Sequence, residues 1–276
     1  MGLNSVQAIV DQFDEPGLAV SDEPAEAPGL PRQPDQPVSQ ENATLKASAP
    51  VLFGGAELVP SHPPQVIGSA SAILDGPSLT TDEKRLSLLS MNDNEVRRCT
   101  KCRLCETRTQ TVFGEGDADA KIFFIGEGPG ETEDQTGRPF VGRAGELLNK
   151  MIGAMGLSRE QVYIANIVKC RPPNNRVPAP DEVATCTPYL TRQLEIIRPR
   201  AVVTLGLPAS QYMLQTKLSM GRLRGQWHSW RGIKLMPTYH PAYVLRNPTV
   251  ETRAAVWSDL KQVLAELGLP VPKKNI

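Results

Sequence analysis

Lys121-Ile122-Phe123-Phe124-Ile125-Gly126-Glu127-Gly128-Pro129-Gly130 runs from an apolar stretch straight into a turn of glycine and proline. A short apolar run bounded by such turn residues reads as a buried strand. Working outward, the same alternation recurs. Glu146–Gly156 places Leu147, Leu148, Met151, Ile152 and Met155 on one helical face, with Gly156 a natural stop. Val162–Val168 reads as a second strand, and Pro180-Asp181 opens a helix through Leu190, Leu194 and Ile197 that closes near Pro199. Ala201–Leu205 is a third strand, followed by a helix after Pro208, and Leu235–Tyr239 is a fourth. Val256, Leu260, Val263, Leu264 and Leu267 stripe a terminal helix. Strands alternating with helices predict an α/β fold, a three-layer sandwich around a central, mostly parallel four-stranded sheet. Ligands of such sheets bind beyond the carboxyl ends of the strands, so the residues just after each strand are the ones to examine.

The formal net charge of the 276 residues is zero, but the average hides two unlike halves. Residues 1–95 hold 14 acidic and 4 basic side chains, a net of −10; the remainder holds 16 acidic and 26 basic, a net of +10. A basic domain behind an acidic tail points to nucleic acid or another anionic partner, although a solvated basic surface has the same composition. Residues 13–80 are rich in Pro, Ser, Ala, Asp and Glu and keep no apolar period, so they are expected to be disordered. Within the extension, Ser5–Phe13 has the spacing of a short amphipathic helix (Val6, Ile9, Val10, Phe13), a candidate docking peptide for a protein partner. The expected organisation is an extension over residues 1–81, a linker helix over 82–98 and a folded domain over 99–276.

No run approaches the ~20 apolar residues that span a bilayer, so no membrane association is expected. The first residues lack a basic stretch ahead of an apolar core, and Val6 does not fit an N-myristoylation pattern. The expected location is cytoplasmic, where thiols rarely rest as disulfides. The five cysteines are then better metal ligands than bridges. Cys99 and Cys102 form a C-x2-C pair, followed by Cys170 and Cys186, with no histidine nearby. Spacing alone does not choose between a four-cysteine zinc site and an iron–sulfur cluster, although zinc ribbons more usually show two short knuckles.

The turn after the first strand fits neither common nucleotide loop. A dinucleotide fingerprint would need glycine where Glu131 stands, and no Gly-Lys-Ser/Thr follows for a phosphate loop. Asn166 is an amide among Ile164, Ile167 and Val168, and His240 stands beside Pro241. Taken singly, each has a structural reading: an asparagine bonded to backbone, a histidine beside a turn.

Taken together they are specific. Gly126-Glu127-Gly128-Pro129-Gly130, Glu133-Asp134, Gly137-Arg138-Pro139-Phe140-Val141-Gly142, Asn166, Lys169-Cys170-Arg171-Pro172-Pro173 and His240–Arg246 closely resemble the family 4 uracil-DNA glycosylases, in order and spacing. The resemblance covers about Cys99 to Leu267 and says nothing of residues 1–95. It implies an enzyme that acts as a monomer on uracil-containing DNA, single- or double-stranded. It also implies a [4Fe–4S] cluster held by Cys99, Cys102, Cys170 and Cys186, with Cys105 a spare thiol.

Uracil must leave the stack before its glycosidic bond can be reached, and the bond breaks with positive charge on the sugar and negative charge on the base. On that chemistry Glu127 is the candidate for placing and activating water, His240 for donating to uracil O2, and Asn166 for reading N3–H and O4. Phe140 would stack on the base; the resemblance places Glu133 near C5, where it would exclude the methyl of thymine, with Gly126 among the residues that bind the base and Gly128 leaving room beside it. Val244, Leu245 and Arg246 resemble the loop that wedges into the vacated stack and holds phosphate; the family commonly has leucine where Val244 stands. Arg222, Arg224 and Lys234 are further phosphate candidates or simply a solvated basic face. A non-catalytic DNA-binding module is disfavoured by Glu127, a carboxylate unfavourable beside phosphate unless it does chemistry. A covalent uracil-DNA binder of the same superfamily would need a histidine in a basic loop, and Arg171–Pro178 has none.

Overall fold

The computed structural model describes residues 77–272, so the extension up to residue 76, with its candidate docking peptide, lies outside the described residues. Strands β1 (Glu115–Gly116), β2 (Ile122–Gly126), β3 (Tyr163–Asn166), β4 (Ala201–Leu205), β5 (His228–Trp230) and β6 (Ile233–Thr238) form one sheet in the order β1-β3-β2-β4-β6-β5. The four inner strands are mutually parallel and the two edge strands antiparallel. The sheet therefore has six strands where four were expected. The additional two are 2 and 3 residues long and have no apolar run to announce them; backbone pairing with β3 and β6 defines them.

Among the described residues the helices are α1 (Thr81–Met91), α2 (Glu131–Thr136), α3 (Arg143–Ala154), α4 (Pro180–Ile197), α5 (Leu207–Leu214), α6 (Met220–Leu223), α7 (Pro241–Arg246) and α8 (Val250–Glu266). Side chains alternate across each inner strand, which makes a sandwich out of strands that are apolar at nearly every position. Phe123, Ile125, Val202 and Leu235 face a core shared with Leu190, Leu194 and Ile197 of α4 and Met213 of α5. Ile122, Phe124, Val203 and Met236 face the opposite core, with Leu148 and Met151 of α3 and Trp257, Leu260 and Leu264 of α8. Each such fully buried side chain contributes about 1.5–3 kcal/mol.

Helix α1 is capped by Thr80 and Glu83, which exchange side-chain and backbone hydrogen bonds. Its Lys84 is buried and donates to Asp119 Oδ1 at 2.6 Å and to the Ile197 carbonyl at 3.1 Å, which docks α1 on the end of α4. A π-helical turn over Asn92–Val96 then leads the chain to Cys99.

Register decides where the chemistry falls. Gly126 at the end of β2 pairs with Asn166 at the end of β3, so these residues share one rim of the sheet. The end of β6 is anchored beneath that rim. Buried Asp259 of α8 accepts from Thr238 Oγ1 and from Arg224 Nη2, each at 2.8 Å. His240 follows two residues later, at the start of α7.

Candidate active site and cysteine cavity

Gly126 is where the rim closes most tightly. A Cβ there would lie 2.3 Å from Asn166 Oδ1 and 2.5 Å from Phe140 Cζ, so only glycine fits between the amide and the ring. Asn166 is 1% exposed. Among the described residues, its Oδ1 is the buried side-chain oxygen or nitrogen left without a hydrogen-bond partner. An unsatisfied buried acceptor costs roughly 1–3 kcal/mol, and its neighbours Phe140 and Gly126 offer it no donor. The Phe140 ring also meets the His240 imidazole, with centroids 5.6 Å apart. Thus the fold brings Gly126, Phe140, Asn166 and His240 around one point.

His240 Nδ1 accepts the Ala242 backbone N–H at 3.1 Å. That bond assigns the proton of a neutral ring to Nε2, which leaves Nε2–H as the outward donor. Burial and, less strongly, the Arg246 cation lower the imidazole pKa to about 4 against the opposing Glu133 carboxylate. The ring is therefore neutral at physiological pH. Glu127, half-buried just past β2, has its pKa raised by burial. At Gly128 a Cβ would meet Val168 Cγ2 at 2.9 Å, so the space kept open there is bounded by Val168 and Pro172.

The acidic run after the turn holds the loops in place. Glu133 Oε1 accepts from the Val141 and Gly142 N–H groups, both at 2.9 Å, and Oε2 from Gly130 N–H at 3.1 Å. Asp134 accepts from Thr109 N–H with both oxygens at 3.0 Å. Glu133 thus braces the loop that carries Phe140 at the pocket wall. On α7, the two candidate wedge residues separate: Val244 is 5% exposed and packs in the core, whereas Leu245 is 39% exposed beside exposed Arg246. Of the two, Leu245 is the more accessible from solvent. Arg224 and Lys234, candidates for phosphate, are engaged instead with Asp259 and Glu266.

Cys99, Cys102, Cys170 and Cys186 line one narrow cavity, and Cys105 is not among its lining residues. Three donors point at the sulfurs: Arg108 Nη1 at 3.0 Å from Cys170 Sγ, the Lys169 backbone N–H at 3.2 Å from Cys186 Sγ, and Tyr189 Oη at 3.5 Å from Cys99 Sγ. Burial raises the thiol pKa of Cys102, Cys170 and Cys186, the last to about 12. Among the described residues no three Cys, His, Asp or Glu side chains converge on a point that would hold a single metal ion.

Two residues at the site were given no role in the sequence reading. Lys169 is fully buried, its pKa lowered by burial to about 7, and it donates to the Asn166 carbonyl at 2.9 Å and Gln193 Oε1 at 2.6 Å. Arg159 donates to the Phe140 carbonyl at 3.0 Å. A basic residue placed directly after an apolar strand was the available signal for Lys169; Arg159 had none.

Residues 113–261 match the model of the Uracil DNA glycosylase superfamily. A Type-4 uracil-DNA glycosylase of Thermotoga maritima is 48% identical over 180 residues, 64% of this chain and 94% of that protein. Another Type-4 uracil-DNA glycosylase, from Saccharolobus solfataricus, is 48% identical over 65% of this chain and 87% of its own length. A Type-5 uracil-DNA glycosylase of Pyrobaculum aerophilum is more distant, at 34% identity over 55% of this chain and 75% of its length.

Proposed function

We propose a division of labour within a chain that belongs to the uracil DNA glycosylase superfamily and, within it, to the type-4 uracil-DNA glycosylases. The enzyme hydrolyses the N-glycosidic bond of deoxyuridine in DNA, releasing uracil and leaving an abasic site for base excision repair. The observation that carries the assignment of residues is the orphaned acceptor at Asn166. A flipped uracil brings the missing donor, N3–H, to Asn166 Oδ1, while the amide nitrogen donates to O4. Cytosine presents an acceptor at N3 and an amino group at C4, which mismatches both contacts.

His240 donates from Nε2 to uracil O2 as negative charge grows there; a neutral donor set in advance needs no reorganisation during bond cleavage. Glu127 orients and activates the attacking water, and its charge opposes the cation developing on the sugar. Phe140 stacks on the base in the space kept open by Gly126 and Gly128. Glu133 stands near C5 with its carboxylate held by three N–H groups, so it cannot swing aside for the methyl of thymine. Leu245 enters the vacated stack and Arg246 holds phosphate.

The cysteine cavity fits a [4Fe–4S] cluster bound by Cys99, Cys102, Cys170 and Cys186. Four thiols and three donors toward sulfur are the surroundings such a cluster takes, and donors of this kind stabilise thiolate ligands. A four-cysteine zinc site is the alternative, and the likeness to the type-4 family favours the cluster. When bound, the cluster would supply iron–thiolate bonds that tie the segment of Cys99 and Cys102 to the loop after Asn166 and to α4.

The enzyme works as a monomer on cytoplasmic DNA, single- or double-stranded. The relative matched over 94% of its length takes up only 64% of this chain, so residues 1–76 have no part in excision in this reading. The test is to incubate purified protein with an oligonucleotide carrying one uracil and look for alkali-labile sites. Uracil strands are expected to break and cytosine strands to survive, with Asn166→Leu inactive on both. Intact uracil strands would overturn the activity, and an active Asn166→Leu variant would overturn the assignment.

A further inference from the structure

The Phe140 backbone lies at φ 52, in the left-handed region that an aromatic residue seldom adopts. Such a conformation persists only where the surroundings over-determine it, and here they do so from both sides. On the amide side, Glu133 holds the N–H groups of Val141 and Gly142. On the carbonyl side stands Arg159, its side chain 12% exposed. Arg159 Nη1 donates to the Phe140 carbonyl at 3.0 Å, and Nη2 donates to the Pro139 carbonyl. The same guanidinium is itself held. Nη1 also meets Asn149 Oδ1 at 3.0 Å, and Nε donates to Glu115 Oε1 at 2.6 Å. Glu115 in turn accepts two bonds from Arg138, each at 2.9 Å. Burial acts to raise the Glu115 pKa, but Arg138 and Arg159 outweigh it and hold the carboxyl below its ordinary value, so the anchor is charged.

We infer that Arg159, backed by Glu115, is the positioning residue for the base-stacking ring: it fixes the strained Phe140 backbone so that the ring is already in place when a flipped base arrives. The inference rests on the reading that Phe140 stacks on uracil. Its logic is pre-organisation, since a ring ordered beforehand need not be ordered on binding. Arginine suits the task because one planar fork reaches two successive carbonyls and a carboxylate together, which a lysine ammonium cannot. The close approach of α3 belongs to the same device. A Cβ at Gly145 would fall 2.0 Å from the Phe140 carbonyl carbon and oxygen, so the helix sits directly against the clamped peptide.

A double-mutant cycle tests this. Single-turnover excision from a uracil oligonucleotide is followed at increasing excess of enzyme for wild type, Phe140→Ala, Arg159→Met and the pair. Each single change is expected to raise the half-saturating concentration about tenfold, the scale of a lost base–aromatic contact, with a much smaller change in maximal rate. The pair is expected to be no worse than Phe140→Ala alone, because Arg159 acts through that ring. Arg159→Lys, which keeps the charge and loses the fork, should lie between wild type and Arg159→Met; if Arg159→Met fails to fold, Arg159→Lys carries the cycle. Losses that multiply in the pair would overturn the inference, as would an Arg159→Met variant that lowers only the maximal rate. If Phe140→Ala itself binds and excises as wild type, the stacking reading falls first and the inference falls with it.

Discussion

Asn166 and Glu182 are equally inaccessible, at 1% and 0% exposure, yet the protein treats their oxygens in opposite ways. Among the described residues, Asn166 Oδ1 has no partner. Glu182, in the first turn of α4, accepts from Arg103 at 2.8 Å, from Arg176 at 2.6 and 2.8 Å, and from the Ala179 N–H at 2.7 Å. Those bonds join the segment of Cys102, the loop after Cys170 and the helix of Cys186. Hydrogen bonding from Arg176 first, then from Ala179 and Arg103, overcomes burial and brings the Glu182 pKa down to about 2. Around the cysteines the buried polar groups are closed on one another; at the rim of the sheet one is kept open. A satisfied network fixes segments in place, and an open acceptor waits for a ligand.

The comparison breaks most visibly in rate. Glu127→Gln and His240→Ala should each slow single-turnover excision by ~10²–10³, the scale of one lost anion-stabilising or proton-moving group, with Glu127→Gln leaving Tm unchanged. The pH profile sharpens the point. Because the His240 pKa is depressed to about 4, a neutral donor persists through mildly acid pH, and no loss of rate should appear near the ordinary histidine value of 6.5. The acid limb should instead follow Glu127, above the ordinary carboxylate value, and vanish in Glu127→Gln. A rate that rises on acidification through pH 6.5 would mean that a protonated imidazole is the active form.

At the closed site the expected losses are of structure. Glu182→Ala removes the acceptor shared by Arg103, Arg176 and the Ala179 N–H and should lower stability by about 1.5–3 kcal/mol in chemical denaturation, since both arginines stay solvated. Cys170→Ser or Cys186→Ser should remove the broad absorption near ~400 nm of anaerobically purified protein and lower Tm, whereas Cys105→Ser does neither. Stoichiometric zinc without iron in such protein would refute the cluster. In acid the two sites should also fail in different windows. His240, with its folded pKa below its unfolded one, contributes stability above about 6.5 that is lost as pH falls towards 4. Glu182 contributes stability above about 4.5 that is lost only towards 2.

The smallest effect is the most diagnostic. Asn166→Leu removes an unsatisfied acceptor from an apolar setting and should leave stability unchanged or raise it by about 1 kcal/mol, while excision is lost. A substantial drop in stability on denaturation would show that the amide is satisfied in solution and that the contrast with Glu182 is false.

The four inner strands and the long helices α3, α4 and α8 were legible because each obeys a local rule: an apolar run between turn residues, or a stripe at helical spacing. The candidate residues Glu127, Asn166 and His240 stand after or at the end of those runs, and it was the resemblance across the separated motifs that singled them out. The edge strands β1 and β5 were not, since pairing of two or three residues is a property of their neighbours. Nor could sequence separate Val244 from Leu245, because adjacent residues of one helical turn differ only in which way the helix is docked.

By itself, then, the sequence determined the α/β sandwich, the family, the rim on which the chemistry stands and the set of four cysteines, all of them consequences of residue type and spacing along the chain. Only the tertiary structure decided which polar groups are satisfied. It left Asn166 Oδ1 open and closed Glu182, turned Glu133 into a brace for its own loop, and placed Arg159 on the Phe140 carbonyl. Hydrogen-bond satisfaction depends on partners distant in the chain, such as Glu115 and Arg159 or Arg103 and Glu182, and no local pattern encodes which of them will meet.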